Sequence, residues 1–142
     1  KYMEPGPAAR YSRAADYPEV ALAAVWTMWR QTGPLVLEGG AARRGVIVRH
    51  LVLPDNQSGT FEFLLWLKDR DMTGVTLSLM SQYSPQYRAA ECPEIDRPLT
   101  PKEYDDAVEF AARLGFEHVL TQEMDSRAVY LPDFGRGEPF GL

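Results

Sequence analysis

Gly45-Val46-Ile47-Val48-Arg49-His50-Leu51-Val52-Leu53-Pro54 is a run of β-branched and aliphatic residues opened by a glycine and closed by a proline. Such a run predicts a strand buried on both faces, the kind used by parallel sheets covered with helices. Arg49 and His50 break it near its carboxyl end, where open α/β sheets and α/β barrels place their ligand sites. Arginine is seldom deeply buried without a partner, so the strand poses one question: what does Arg49 meet? Neighbours on a strand point to opposite faces, so Arg49 and His50 serve different surroundings.

Working outward, Asp55-Asn56-Gln57-Ser58 reads as a polar loop. It leads into a helix over Gly59–Arg70, with Ser58 as cap and Phe61, Leu64 and Leu65 inward. Gly74–Met80 is the next strand, with Val75, Leu77 and Leu79 on one face and Thr76, Ser78 and Met80 on the other. On the amino-terminal side, Tyr17–Arg30 has Leu22, Val25, Trp26 and Trp29 at helical spacing. Asp16 stands near its N-cap and Gly33 is placed to end it. Leu35–Arg44 is a connection, extended at Leu35-Val36-Leu37 and loose at Gly39-Gly40, and Lys1–Arg13 reads as a Pro- and Gly-rich loop.

Further on, Ser81–Leu99 is irregular and rich in Tyr, Pro and Gln; a segment that long is either functional or disordered. Thr100-Pro101-Lys102-Glu103 is a capping box with proline at the first helical position. Its helix runs to Leu114, with Gly115 as C-cap. Glu117–Thr121 is a short last strand, and Ser126–Leu142 a Gly-, Pro- and aromatic-rich tail. Helix, strand, helix, strand, helix, strand predicts α/β architecture with parallel βαβ units. The 142 residues are one domain's worth of chain, with 45% apolar and 25% charged residues.

The net charge of −5 argues against general binding to nucleic acid or an anionic membrane. No apolar run approaches spanning length, and KYMEPGPAAR does not read as a signal peptide. A single cysteine, Cys92, excludes an internal disulfide and is consistent with a reducing cytoplasm. No dinucleotide, P-loop, HExxH or serine-elbow motif is present, and His50 and His118 lack neighbours at metal-ligand spacing. Cys92 is read as an incidental loop thiol, Asp105-Asp106 as solvated, and His50 as a core histidine bonded to backbone. For Arg49 the residues leave two readings of equal weight: a structural ion pair or substrate binding.

GVIVRHLVLP, then SLMSQYSPQYRA some thirty residues on, then Arg97-Pro98-Leu99-Thr100 followed by Glu103-Tyr104, resembles the carboxyl-terminal half of radical S-adenosylmethionine proteins. It is most similar to uncharacterised iron–sulfur proteins related to pyruvate formate-lyase activating enzyme. Leu131-Pro132-Asp133-Phe134 and Pro139-Phe140 look like that family's end. The resemblance implies parallel βαβ units forming the carboxyl-terminal half of a partial (β/α)6 barrel. It implies S-adenosylmethionine and a [4Fe–4S] cluster as cofactors of the parent protein, and a protein substrate as partner. The parent would form a 5′-deoxyadenosyl radical that abstracts hydrogen from a substrate such as a protein glycine.

Carried over residue by residue, Lys1 and Arg49 match basic strand residues that approach the cofactor's carboxylate. Gln82 and Tyr83 fall where a polar or histidine residue follows the next strand. The cluster's three-cysteine loop and the Gly-Gly-Glu segment have no match here, and one cysteine cannot supply three thiolates. No catalytic residue and no metal ligand is therefore assigned. Lys1-Tyr2 looks like the end of a family strand, so the expectation is a carboxyl-terminal fragment, inactive and cofactor-free by itself. A strand without its neighbours leaves an unpaired edge, so such a fragment is expected to self-associate through it. The alternative is a non-enzymatic α/β binding or interaction module.

Overall fold

The computed structural model describes residues 1–124. The expected tail over 126–142, with Leu131–Phe134 and Pro139-Phe140, lies outside the described residues. The elements in chain order are α1 (Pro5–Ser12), α2 (Tyr17–Thr32), β1 (Val36–Glu38), β2 (Ala41–Arg44), β3 (Ile47–Leu51), α3 (Thr60–Lys68), β4 (Thr76–Met80), α4 (Pro101–Leu114) and β5 (Val119–Leu120). Short 3₁₀ turns occupy Pro54–Asn56 and Ala89–Glu91.

Strands β3, β4 and β5 form a parallel sheet in that order, with Arg49 opposite Ser78 and Ser78 opposite Leu120. The other sheet is an antiparallel hairpin of β1 and β2. The fold is mixed α/β, and this corrects the expected partial (β/α)6 barrel. Three parallel strands, the last of two residues, make an open sheet. Their neighbour in sequence, the β1–β2 hairpin, forms a sheet of its own.

The helices cover one face of the parallel sheet. Val48 and His50 of β3 and Leu77 and Leu79 of β4 are buried in one core with Phe63, Leu64 and Leu67 of α3 and Ala107 and Ala111 of α4. The other face is more open among the described residues: Ile47 is 45% exposed, Leu120 51% and Arg49 exposed, with Ser78 and Met80 half-buried and only Thr76 buried. The expectation that GVIVRHLVLP is buried on both faces is therefore corrected. β3 is an edge strand with a single covered face.

Other local readings change for identifiable reasons. Lys1–Arg13 holds helix α1, because Pro5 and Pro7 fall in a first turn, where proline's missing N–H costs nothing. Lys1 and Tyr2 belong to no strand. Gly39 and Gly40, at φ +59° and +79°, form the two-residue turn of a hairpin, so the supposed connection pairs Val36–Glu38 with Ala41–Arg44. Leu65 is 42% exposed, and Phe63 and Leu67 take the inward places beside Leu64.

The capping box forms as expected: the Glu103 amide donates to Thr100 Oγ1 at 3.3 Å and the Thr100 amide to Glu103 Oε2 at 2.9 Å. Tyr104, one residue on, donates its hydroxyl to the Leu79 carbonyl at 2.8 Å and accepts from the Gln122 amide at 2.8 Å. That hydroxyl fastens α4 to the carboxyl ends of β4 and β5. Ser81–Leu99 is tied at its start: Ser81 is buried, and its hydroxyl donates to the Glu123 carbonyl at 3.2 Å.

Candidate functional site

Strand alternation divides β3 as the sequence requires. His50 turns into the helical layer, where its ring stacks on Phe63 at 4.9 Å and its Nε2 meets Thr60 Oγ1 at 3.0 Å. Thr60 Oγ1 in turn meets Ser58 Oγ at 2.9 Å, and Ser58 Oγ accepts from the Leu53 amide at 3.2 Å. His50 is a core residue, but its partner is a threonine hydroxyl rather than backbone. Ser58 is spent inside this chain of hydroxyls, so the α3 amino terminus is served by Asn56, whose Oδ1 accepts from the Thr60 amide at 2.8 Å.

Burial pushes the His50 imidazole down to about 3. An unfolded chain binds a proton at His50 from about pH 6.5 downward, and the folded one does not. Stability is therefore whole above pH 6.5 and falls with pH between 6.5 and about 3. The limiting slope for one proton is about 1.4 kcal/mol per pH unit. Urea midpoints between pH 7.5 and 5 should fall for the native protein and stay nearly level in His50→Gln. Equal slopes for the two proteins would contradict this assignment.

Arg49 points the opposite way. It is exposed and makes no hydrogen bond or ion pair with the described residues, so the structural ion pair left open by the sequence is not formed there. It nonetheless lines a cleft of about 70 Å³ at the edge of β3, together with Lys1, Tyr2, Tyr17, Leu22, Phe63 and His50, so strand alternation does not keep Arg49 and His50 from bordering one cleft. Lys1 lies within the same cleft, its Nζ 5.2 Å from the Tyr2 ring centroid. Two basic residues thus border one cleft at the strand edge, with no carboxylate among the lining residues. Such a site can take an anionic group, and a planar guanidinium suits a carboxylate.

Of the four site residues expected, the structure brings Lys1 and Arg49 together and leaves two apart. Tyr83 packs against a small cluster of Tyr2, Ala8 and Leu53, and its hydroxyl donates to the Ile95 carbonyl at 2.7 Å. Burial raises the Tyr83 hydroxyl above its ordinary range. Gln82 is half-buried and, like Tyr83, does not line the cleft.

Sequence reasoning missed a second polar constellation, where β3 leaves the sheet. Asp55 and Asn56 both adopt left-handed backbone, φ +51° and +53°. Such conformations cost a residue with a side chain roughly 1–2 kcal/mol, the more readily tolerated by Asn and Asp. The turn is held because the Asp55 amide donates to Glu103 Oε1 at 2.8 Å while Arg97 bridges Glu103 and Asp55, each at 2.8 Å. The Arg97 guanidinium, with these amide donors, holds the Glu103 carboxyl well below the usual range. A cavity of about 110 Å³ beside it is lined by Val52, Phe61, Glu103 and Asp106 among others. With its charges satisfied internally, this constellation is a brace between β3 and α4. The signal was Arg97 preceding the capping box.

No family model matches the chain. It is 33% identical over 72 residues to the uncharacterized protein MJ0674 of Methanocaldococcus jannaschii, covering 51% of this chain and 21% of that protein. The aligned part of the chain thus spans about a fifth of the length of the curated relative it matches. No solved structure matches it.

Proposed function

We propose that this chain is part of a longer radical S-adenosylmethionine protein related to pyruvate formate-lyase activating enzyme, in which Arg49 and Lys1 receive the cofactor's carboxylate. The observation that carries the reading is the cleft shared by Lys1 and Arg49, which has no ion-pair partner among the described residues. The resemblance of GVIVRHLVLP and Met80–Pro85 to that family supports it. The greater length of the archaeal relative is compatible with a larger parent. The residues present fit the carboxylate: two cations, one a guanidinium, line a cleft without an acid.

They do not fit the cluster. The chain has one cysteine, and no group of three or more His, Cys, Asp or Glu among the described residues could hold a metal ion. A cluster would have to come from other parts of the parent, and no step is assigned to it here. Bound S-adenosylmethionine would supply a 5′-deoxyadenosyl group for radical chemistry on a protein substrate, within the cytoplasm. This chain's own share is binding and orientation.

A second reading, an α/β interaction module without catalysis, is favoured by the open sheet face with Ile47 and Leu120 exposed. Isothermal titration of the full-length parent with S-adenosylmethionine separates the two. Arg49→Ala should weaken binding by roughly 1.5–3 kcal/mol, the scale of a hydrogen bond to a charged group. No binding by the native parent would leave the interaction module standing.

A further inference from the structure

Helix α2 carries a face that no described element covers. Its inward stripe, Leu22, Val25, Trp26 and Trp29, packs against the core. On the outer side Val20 is 60% exposed and Met28 44%, with Ala24 and Thr27 exposed between them. A solvent-facing helix surface is ordinarily polar or charged. Here no charged residue occurs from Val20 to Trp29.

The two charges that bound this stripe are Glu19 in the first turn and Arg30 in the last. Both are exposed, and neither has a hydrogen bond or ion pair among the described residues. Arg30 lies 6.0 Å from the Trp26 ring centroid, along one flank of the stripe. The eleven steps from Glu19 to Arg30 make about three turns at roughly 3.6 residues each, which places both charges on that same flank. When two helices pack antiparallel about a two-fold axis, residues of the same flank meet. An axis beside Ala24 and Val25 then sets Glu19 of one copy against the partner's Arg30, and the reverse. A parallel arrangement would instead bring Glu19 level with the partner's Glu19.

We propose that α2 is the interface of a two-fold homodimer, with the Val20–Met28 stripe packed against its copy and two Glu19–Arg30 pairs lying along one flank of it. The apolar stripe supplies the contact and the charges set direction and register. The proposal is independent of the cofactor reading. It places self-association on a helix rather than on the strand edge that the sequence suggested.

Sedimentation equilibrium of the full-length protein that contains this chain tests it, with circular dichroism checking that each variant is folded. The native protein should be a dimer at tens of micromolar. Glu19→Arg and Arg30→Glu should each raise the dimer dissociation constant about tenfold or more, because each sets two like-charge pairs across the axis. The double variant, with the charges exchanged, should return to within about threefold of native. A native monomer at these concentrations would overturn the proposal. So would a dimer indifferent to both reversals, which would place the interface elsewhere, for instance on the free edge of β3.

Discussion

Leu77→Ala is expected to lower folding stability by about 3–4 kcal/mol, the scale of a fully buried leucine truncated in a core that only partly collapses. Leu77 sits in the central strand, opposite Val48 of β3 on one side and Val119 of β5 on the other, and none of its surface is exposed. Its side chain belongs to the core shared with α3 and α4, so shortening it leaves a void where the helical layer meets the sheet. Leu120, one register position further along on the open face and 51% exposed, provides the comparison. Leu120→Ala should change stability by no more than about 0.5 kcal/mol. Urea unfolding followed by circular dichroism measures both. Similar losses for the two would mean that the face carrying Arg49 is covered and that the placement of the core is wrong.

Gly45→Ala should cost about 3 kcal/mol or more, through two causes that add. At φ +115° the backbone is one that side chains with a Cβ rarely adopt, and the new Cβ would overlap the Leu35 Cα and the Pro34 carbonyl. Both obstacles are backbone, so no rotamer change relieves them. The β1–β2 hairpin or the entry to β3 must move. Gly40→Ala separates the causes, since Gly40 has φ +79° but nothing within 4 Å of its Cβ position. It should lose only the conformational part, about 1 kcal/mol. Thermal unfolding of the two variants beside the native protein should show Gly45→Ala far the lower. Equal melting temperatures would exclude the close approach of Gly45 to Leu35.

Much of the helical layer was legible because its signals are local. Thr100-Pro101-Lys102-Glu103 forms the capping box its spacing predicts, and Gly115 ends α4 in left-handed backbone at φ +90°. The alternation of Val75, Leu77 and Leu79 with Thr76, Ser78 and Met80 is close to the split between buried and half-buried positions in β4, with Thr76 the exception. That Arg49 is exposed and His50 buried also follows from alternation, although both border the same cleft. What was illegible depends on neighbours distant in sequence. A run of β-branched residues looks the same whether one face or both are covered, and only the sheet order places β3 at an edge.

The barrel expectation came from the resemblance, and an open sheet of three strands overturns it. The hairpin was a missed local signal: Gly39-Gly40 between Val36–Glu38 and Ala41–Arg44 is a turn sequence, although Ala41–Arg44 has no β-branched residue to mark a strand. At the site, the convergence of Lys1 with Arg49 joins residues forty-eight positions apart, which periodicity cannot reveal. The Asp55–Arg97–Glu103 brace escaped for the same reason, since its members come from three separate segments.

The central claim is that Arg49 receives a carboxylate. It is tested most directly by calorimetric titration of the full-length parent and its Arg49→Ala variant with S-adenosylmethionine and with its decarboxylated analogue. Arg49→Ala should weaken S-adenosylmethionine binding by roughly 1.5–3 kcal/mol, about ten- to more than a hundredfold, and leave the analogue's affinity within about twofold. Equal affinities of native and variant for S-adenosylmethionine, or equal losses for both ligands, would contradict it.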